Sequence, residues 1–269
     1  MCRGLAFRSG VRWISSVTQT GEKKQGYALF DMDQTLIQWD TQLLFCNWVL
    51  RAEPVRRLFL LIFLPMLVFA KVLGSEGMKR VFLSFLWGMG RERLEELVES
   101  FVEQYVPGEF YPEMMEEVRR QKELGRITVL TSASPEIYAV PIGKALGFDH
   151  SFGTRVEYEE AVPLFPDFTR GNNKSEVKVS RLQEELGVEL QEGKLPGSSG
   201  FSDSKVDLPM LELCDEVMAV HPEGSFLERA QEEGWQIVKP ARVWKDRREF
   251  ASACLRMMLG IYPISSGKN

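Results

Sequence analysis

The stretch FDMDQTL, residues 30–36, begins at the last residue of the short apolar run Tyr27–Phe30 and carries two aspartates separated by one residue. A short apolar run that ends in polar residues is typical of a buried strand in a parallel sheet. Carboxylates two residues apart in the turn after such a strand can both face one cleft, where one attacks as a nucleophile and the other donates a proton. An Asx turn or a helix cap would explain one aspartate but explains the pair less well.

A second acidic pair lies far downstream in the stretch GFSDSKVD, residues 200–207, where another strand is expected to end. Its Asp203 and Asp207 can reach the same cleft if both strands lie near the centre of the sheet. A carboxylate cluster of this kind suits Mg²⁺, which prefers oxygen ligands and keeps waters that a phosphate can replace.

Hydroxyl groups and one of two lysines are further candidates for the site. The stretch VLTSAS, residues 129–134, places hydroxyls and backbone N–H groups at a predicted strand-to-helix junction. Such a junction is a natural cradle for an oxyanion, and a simple helix cap is also consistent with it. Lys174 and Lys178 begin an amphipathic helix, where a single lysine is usually just solvated.

Strand-like and helix-like segments alternate along most of the chain. Further buried strands are predicted at residues 127–130, 217–220 and 237–238, and amphipathic helices at residues 91–105, 135–146, 175–186, 223–233 and 246–259. Strands that end in polar residues and are followed by helices predict an α/β fold, with a Rossmann-like, doubly wound and mostly parallel sheet. Ligands of such a sheet bind at the carboxyl ends of its strands.

An apolar insert separates the first motif from the second. Residues 58–70 read LFLLIFLPMLVFA, with no charge between Arg57 and Lys71. At 1.5 Å per residue this run reaches about 20 Å, which is short of the roughly 30 Å hydrocarbon core of a bilayer. With the apolar stretch of residues 81–89 it is predicted to form a helical hairpin that dips into one leaflet. The alternative is a pair of core helices in an accessory domain.

Composition narrows the chemistry further. The chain of 269 residues is 44% hydrophobic and 26% charged, as in an ordinary folded protein. Its four cysteines share no close spacing and it has only two histidines, so the sequence does not favour a zinc site, a disulfide framework or a catalytic triad built on histidine. The cysteine pattern also leads us to expect that the protein lies in a reducing compartment. Basic residues flank the apolar runs rather than forming one stripe, so we expect no nucleic-acid partner. Residues 1–24 are compatible with an organellar targeting segment or a poorly ordered extension.

In their order, the stretches FDMDQTL, LTSASPE, KVSRL and GFSDSKVDLPML resemble the haloacid dehalogenase superfamily of Mg²⁺-dependent phosphotransferases, over about residues 26–240. The insert is similar to the helical cap of the phosphoserine-phosphatase-like subgroup. Together with the apolar cap stretch and FLWG, these four stretches resemble its membrane-associated phosphatidylglycerophosphatase C branch. The resemblance implies a catalytic core of residues 25–40 and 112–240, a cap of residues 41–111 and a C-terminal helix within residues 241–269.

The resemblance also implies roles for the acidic residues. Asp31 would be the nucleophile that forms an aspartyl-phosphate, and Asp33 the general acid and then the general base. Mg²⁺ would be held by the Asp31 carboxylate, the Asp33 backbone carbonyl and the Asp203 carboxylate. Thr35 and Asp207 would orient the groups around them.

The phosphoryl group would be bound by residues of the two middle motifs. Ser132 would donate a hydrogen bond to a phosphoryl oxygen, helped by the N–H group of Ala133. Lys178 fits the family pattern better than Lys174 as the phosphate-binding lysine. Gln34 stands where the superfamily commonly has glycine, so its φ is expected to be below zero, or its side chain to reach into the site.

Three hypotheses for function follow. The leading one is phosphomonoester hydrolysis of a membrane lipid phosphate such as phosphatidylglycerophosphate, by a membrane-associated enzyme whose cap lies at the interface. The alternative is a phosphatase of a soluble small molecule such as phosphoserine, with the insert buried as a cap core. The third is an inactive protein that binds lipid or a membrane partner. The sequence predicts no particular oligomeric state.

Overall fold

The computed structural model describes residues 26–264, so the predicted N-terminal extension of residues 1–24 lies outside the described residues. Within these residues seven strands form one sheet. They are Tyr27–Phe30 (β1), Ile127–Pro135 (β2), His150–Val156 (β3), Phe168–Thr169 (β4), Ser199–Ser202 (β5), Glu216–Val220 (β6) and Gln236–Val238 (β7). Their order is β4-β3-β2-β1-β5-β6-β7, and all neighbours are parallel except β3 and β4.

The helices of the described residues account for most of the remaining chain. They are Thr41–Ala52 (α1), Leu60–Met66 (α2), Ala70–Phe82 (α3), Arg91–Gln104 (α4), Pro112–Glu123 (α5), Glu136–Ala145 (α6), Glu176–Leu186 (α7), Leu208–Leu211 (α8), Ser225–Glu232 (α9) and Arg247–Met258 (α10). Asp40 and Asp246 cap α1 and α10, and each carboxylate accepts two backbone N–H groups of the first turn.

The predicted α/β class and doubly wound sheet are confirmed. The chain runs outward from β1 through β2 to β3 and returns to β5 on the other side of β1. Where the order of successive strands in a parallel sheet reverses in this way, a crevice forms at the carboxyl ends of the central strands. The first motif follows β1 and the second acidic pair follows β5, so both acidic stretches lie at this crevice.

Strands β3 and β4 were not predicted. Strand β3, HSFGTRV, mixes polar residues and glycine and lacks an apolar run, and β4 is only two residues long. Strand β2 continues to Pro135, five residues beyond its predicted end, because its register against β3 shifts between Thr131 and Pro135. The predicted boundaries between core, cap and C-terminal helix stay predictions.

Two apolar clusters fill the space on the two faces of the sheet. The larger cluster joins buried residues of the insert, α6 and α10 to the sheet, and Phe30, Phe45, Phe101 and Tyr138 are among its members. The smaller cluster packs α7, α8 and α9 on the other face, through Leu182, Met210, Phe226 and neighbouring residues. Burial on both faces explains why β1, the first half of β2 and most of β6 read as apolar runs, whereas β5, SGFS, does not.

The apolar insert folds back on itself. Phe59 and Phe63 pack against Phe82 at ring-centroid distances of 5.8 and 5.2 Å, which joins the two apolar runs. Gly74 breaks the path of α3 with φ of 64°, a left-handed conformation that glycine adopts without a steric penalty. By length and composition the helical segment Pro54–Leu86 could cross a membrane, with a mean hydropathy of 2.3 and 11% of its apolar window buried.

We call residues 54–73 the apolar segment. Many of its apolar side chains face away from the rest of the molecule, namely Val55, Leu58, Leu61, Leu64, Leu67, Val68, Phe69 and Val72. The exposed fraction reaches 82% at Val68 and 87% at Val72. A continuous apolar surface of this kind is unusual on a soluble monomer and is typical of an interaction site.

Candidate active site

Lys178 is the buried centre of the site. It lies in the first turns of α7, is 1% exposed, and its Nζ donates to Asp31 Oδ1 at 2.6 Å and to Asp207 Oδ2 at 2.9 Å. Ser202 Oγ donates to the same Asp207 oxygen at 2.8 Å. Burial alone would lower the pKa of Lys178, but the charges of Asp207 and Asp31 raise it above its usual value, so the ammonium stays charged.

Lys174, the other candidate lysine, points elsewhere. Its Nζ donates to Ser75 Oγ of the insert at 2.5 Å, and the contact is exposed. The two lysines are one helical turn apart in sequence, but Lys174 precedes α7 while Lys178 lies within it. Of the two, only Lys178 contacts the first aspartate of the motif in this structure.

Asp33 is held by neutral donors. Its Oδ1 accepts from the backbone N–H and the hydroxyl of Thr41 at 2.8 and 2.6 Å. Its Oδ2 accepts from Ser134 Oγ at 2.6 Å, and Ser132 Oγ lies 3.4 Å away. The two aspartates of the motif are thus in different environments, one paired with a buried cation and the other with hydroxyls and a helix N-terminus. Thr41 was not among the predicted site residues, and Ser134 was predicted only as part of the hydroxyl-bearing stretch of residues 129–134, with no role of its own.

Thr35 joins the two acidic stretches. Its Oγ1 lies 3.4 Å from Asp31 Oδ2 and 3.4 Å from Asp203 Oδ1, and it accepts from the backbone N–H of Asp203 at 3.0 Å. Burial, together with the charges of Asp207 and Asp33, raises the pKa of Asp203 to about 7, and the charge of Lys178 opposes this shift. Burial likewise raises the pKa of Asp31, against the charge of Lys178. The site therefore holds more negative charge than Lys178 neutralises.

This donor set fits Mg²⁺. Among residues 26–264 no three side chains of the metal-binding types are close enough to hold an ion by themselves. The predicted set uses only two carboxylates, those of Asp31 and Asp203, with the Asp33 backbone carbonyl as its third oxygen. Mg²⁺ keeps several waters and needs few protein oxygens, and its charge would offset the burial and the carboxylate repulsion that raise the pKa values of the two carboxyls.

The expectation that Gln34 keeps φ below zero is wrong. Its φ is 57°, in the left-handed region. The amides of Leu36 and Ile37 both turn back to the Met32 carbonyl, at 2.9 and 3.1 Å, and this tight reversal requires a left-handed residue after Asp33. Glycine adopts this conformation without strain, whereas glutamine does so at a cost of about 1 kcal/mol. The side chain of Gln34 lines a cavity next to Asp203.

Gly153 allows β3 to approach the end of β2, where Ser132 and Ser134 lie. A Cβ atom at this position would fall 2.6 Å from the Ser134 carbonyl oxygen and 2.8 Å from the Glu136 nitrogen. Arg181 of α7 also stabilises this region, because it donates hydrogen bonds to the Gly153 carbonyl and to the Glu136 carboxylate. Any larger residue at position 153 would displace the two serines.

The insert also reaches the site, through a residue that the sequence did not indicate. Lys79 of α3 donates to the Ala133 carbonyl at 2.7 Å and to Asn172 Oδ1 at 3.0 Å. Thr154 Oγ1 donates to the same Asn172 oxygen at 2.9 Å. Burial lowers the pKa of Lys79, although the charges of Asp40 and Asp33 oppose this shift. Lys79 has no acidic partner within ion-pair distance among the described residues.

Comparison with known proteins agrees with this geometry. The family model for haloacid dehalogenase-like hydrolases matches residues 28–212. Histidinol-phosphatase of Neisseria meningitidis is 24% identical over 220 residues, covering 78% of this chain and 97% of that protein. Phosphoserine phosphatase SerB1 of Mycobacterium tuberculosis is 25% identical over 220 residues, covering 78% of this chain and 69% of that protein.

Solved structures with the same fold are also known. A protein of unknown function from Bordetella pertussis has a TM-score of 0.68 and 24% identity, covering 80% of this chain and 99% of that chain. A substrate-bound phosphoserine phosphatase has a TM-score of 0.52 and 18% identity, covering 86% of this chain and 99% of that chain. At these identities the likeness concerns the fold alone.

These matches confirm the predicted superfamily and the prediction of a phosphatase, with phosphoserine-phosphatase-like neighbours. The matches described here give no support to the predicted closeness to phosphatidylglycerophosphatase C. The family model covers the first aspartate pair, the serine motif, Lys178 and the second acidic pair. The chain belongs to the haloacid dehalogenase-like hydrolase family.

Proposed function

We propose that this phosphatase hydrolyses phosphate monoesters of small molecules with the help of Mg²⁺, through an aspartyl-phosphate on Asp31. The observation that carries the proposal is the contact of 2.6 Å between Asp31 and the buried ammonium of Lys178. This contact orients the carboxylate at the crevice, and the charge of Lys178 opposes the rise in the pKa of Asp31 that burial causes, both of which favour a nucleophile. Phosphatases named for histidinol phosphate and phosphoserine among the relatives favour a small soluble substrate.

In the first step an Asp31 oxygen attacks the phosphorus, and the bond between phosphorus and the alcohol oxygen breaks. Asp33, in its protonated form, gives its proton to the leaving oxygen, so the alcohol departs neutral. The hydrogen bonds from Thr41 and Ser134 hold the Asp33 carboxyl in place for this transfer. General acid catalysis of this kind contributes about 10²–10⁴-fold to the rate.

In the second step Asp33 takes a proton from water, and the oxygen of that water attacks the phosphorus. The bond between phosphorus and Asp31 breaks, which releases inorganic phosphate and restores the carboxylate. The route replaces one difficult displacement by two easier ones. Thr35 orients the Asp31 and Asp203 carboxylates, and Asp207 fixes Lys178 beside Asp31.

Charge on the phosphoryl group is balanced by donors around it. Ser132 and the N–H group of Ala133 serve as hydrogen-bond donors to its oxygens, and Lys178 supplies a fixed positive charge. Mg²⁺, held by Asp31, the Asp33 carbonyl and Asp203, would supply further charge neutralisation. Lys79 lies beside Ala133 and places a second cation at the rim of this site.

A lipid phosphate is a second candidate substrate, favoured by the exposed apolar segment. Residues 54–73 contain Arg56, Arg57 and Lys71 and no acidic residue, a composition that suits an anionic bilayer rather than another soluble surface. The same insert contacts the rim of the catalytic site through Lys79. A cap docked on a bilayer would bring the headgroup to the cleft without removing the acyl chains from the membrane.

One assay separates the two substrates. Phosphate release is measured with Mg²⁺ and with EDTA, on phosphoserine and histidinol phosphate in buffer and on phosphatidylglycerophosphate in mixed micelles, with Asp31→Asn as the blank. We expect Mg²⁺-dependent release from at least one soluble ester, abolished in the variant. Release from the lipid alone would support the second candidate. Release that is equal in EDTA, or equal in Asp31→Asn, would contradict the mechanism.

A further inference from the structure

A cavity of about 770 Å³ opens beside the catalytic carboxylates, over the carboxyl ends of β5 and β6. Gln34 and Asp203 form its inner side, and Glu223, Arg242 and Trp244 form part of its outer side. Apart from Asp203, the proposed reaction uses none of these side chains. The cavity is therefore a space next to the catalytic centre with no role yet assigned.

Two polar atoms of residues that line this cavity lack partners. Among the described residues, no hydrogen-bond partner is found for His221 Nε2 or Arg242 Nε. The ring of His221 lies 5.8 Å from that of the buried Tyr111, whose hydroxyl is paired with the Arg242 side chain. Because buried polar groups are nearly always hydrogen-bonded, unpaired atoms beside a cavity mark a place where a ligand or water completes the bonds.

The backbone around the cavity is strained at two positions. Gln34 and His221 have φ values of 57° and 46°, which side chains other than glycine rarely adopt, and both residues line the cavity. The amide of His221 donates to the Val238 carbonyl at 2.9 Å, which fixes the backbone at this position. Strain of this kind is concentrated at ligand-binding and catalytic positions.

The charges on the walls favour an anion. Lys205, Arg242 and Arg247 line the cavity, against one acidic residue at its rim, Glu223, which is 67% exposed. Glu223 lies 3.5 Å from Arg242 and 4.0 Å from Arg247, whose side chain is 99% exposed. Asp203 is the other acid, and a bound cation would neutralise it. The planar guanidinium of Arg242 can bind a carboxylate or a phosphate through two parallel hydrogen bonds.

We propose that this cavity binds a carboxylate or phosphate group through Arg242, with Lys205 and Arg247 adding positive charge. The group comes either from the alcohol part of a substrate or from a free anion that occupies the cavity beside the catalytic centre. The first source rests on the proposed phosphatase function, and the second does not.

Binding is tested with malonate, a dicarboxylate without a phosphoryl group, by calorimetric titration of the full chain. We expect malonate to bind the unchanged protein and to bind Arg242→Gln at least tenfold more weakly. Glu223→Gln is the matched variant, because removing the rim carboxylate should tighten binding severalfold, a change in the direction opposite to that of a folding defect. Arg242→Lys should recover part of the affinity because it keeps the charge.

The source is identified by kinetics. The ratio of kcat/KM for phosphoserine to kcat/KM for para-nitrophenyl phosphate should fall at least tenfold in Arg242→Gln if the cavity holds the carboxylate of a substrate. An unchanged ratio together with Arg242-dependent malonate binding identifies a free anion instead.

Two results would overturn the proposal. One is no malonate binding by the unchanged protein, and the other is equal affinity in Arg242→Gln. A chain that binds malonate through Arg242 but hydrolyses no ester would contradict the proposed function and leave the anion site in place.

Discussion

The catalytic centre and the apolar segment differ in how their side chains are partnered. In the catalytic centre, charged groups are buried and each has a defined partner, as Lys178 shows with its two carboxylates. In the apolar segment, apolar side chains are exposed to solvent, and the exposed fraction is 82% at Val68 and 87% at Val72. One region buries what normally lies in water, and the other exposes what is normally buried.

This difference shows in which region the chain itself provides the contacts that its side chains need. Buried charges persist only when their partners are supplied, and in the catalytic centre the protein supplies nearly all of them. In the apolar segment the described residues cover Phe59 and Phe63 but leave the outward-facing side chains exposed, so a surface outside the chain is the partner that the composition of this face fits. The first region can be broken by single substitutions, and the second can be tested only by adding a partner.

The largest expected effect is that of Asp31→Asn on turnover. Without a carboxylate to attack phosphorus, hydrolysis should fall by about 10³-fold or more. The folded state should persist, because burial already disfavours the negative charge of Asp31 and Lys178 keeps its contact with Asp207. Phosphate release and thermal unfolding of the same preparation check both statements, with Asp246→Asn, at the cap of α10, as a matched control. Retained turnover in Asp31→Asn would remove Asp31 as the nucleophile.

Lys178→Met should damage both stability and catalysis. It leaves Asp31 and Asp207 buried without their shared cation, which costs about 3–5 kcal/mol when one partner of a buried pair is lost. Lys174→Met is the matched control, and its exposed contact should change the free energy of unfolding by about 0.5 kcal/mol or less. Urea unfolding measures both variants. Similar losses in the two variants would mean that Lys174 also supports the site.

The apolar segment should bind a bilayer. We expect the chain to sediment with vesicles that contain anionic phospholipid, and a variant with Leu61→Asp and Val68→Asp to lose at least about tenfold in affinity, since each side chain contributes roughly 1.5 kcal/mol or more. Leu124→Asp, at a residue 52% exposed after α5, is the matched control and should bind normally. If the unchanged chain does not bind vesicles, or the double variant binds equally, the membrane hypothesis is wrong.

The stabilisation by Mg²⁺ should depend on pH. In the folded protein without the ion, the pKa of Asp203 is raised to about 7, against about 3.9 in an unfolded chain. A raised carboxyl pKa favours folding below about pH 3.9, and this contribution is lost as pH rises toward 7. Below about pH 7 the Asp203 carboxyl carries a proton that Mg²⁺ must displace in order to bind, and above pH 7 it does not. The gain in melting temperature from Mg²⁺ should therefore be larger at pH 8 than at pH 6, and equal gains would contradict the proposed role of Asp203.

The smallest expected effect is that of Gln34→Gly. Glycine removes the strain of the left-handed conformation, which is worth about 1 kcal/mol. Because glycine also has more conformational freedom in the unfolded chain, we expect the free energy of unfolding to rise by only about 0.5 kcal/mol or less. Chemical denaturation gives the difference, and Gln38→Gly, within the same loop but outside the left-handed set, should destabilise instead. A clear loss of stability in Gln34→Gly would mean that the glutamine side chain makes a contact worth more than the strain.

Sequence alone predicted β1, β2 and β6, because buried parallel strands are often apolar runs that can be recognised locally, whereas β5, SGFS, was expected only from the acidic pair that follows it. It did not predict β3, whose polar residues and glycine are explained only by packing against β2. It placed Asp31, Asp33 and Asp203 at one crevice because strand ends converge there. Contacts between segments that are distant in the chain could not be predicted from the sequence. Lys79 is the clearest case, because its position depends on how the insert folds.

The same topology sets the order in which the molecule can assemble. Strand β1 pairs with β2 and β5, with Tyr27 opposite Ile127 and Ala28 opposite Ser199, so both neighbours of the central strand emerge from the ribosome long after it. Contacts between such distant residues slow folding. The whole apolar segment is made during this interval, before the sheet can close, and exposed apolar chain at that stage is prone to aggregate. Early capture of the segment by a membrane or a chaperone would protect the nascent chain until its last strands are complete.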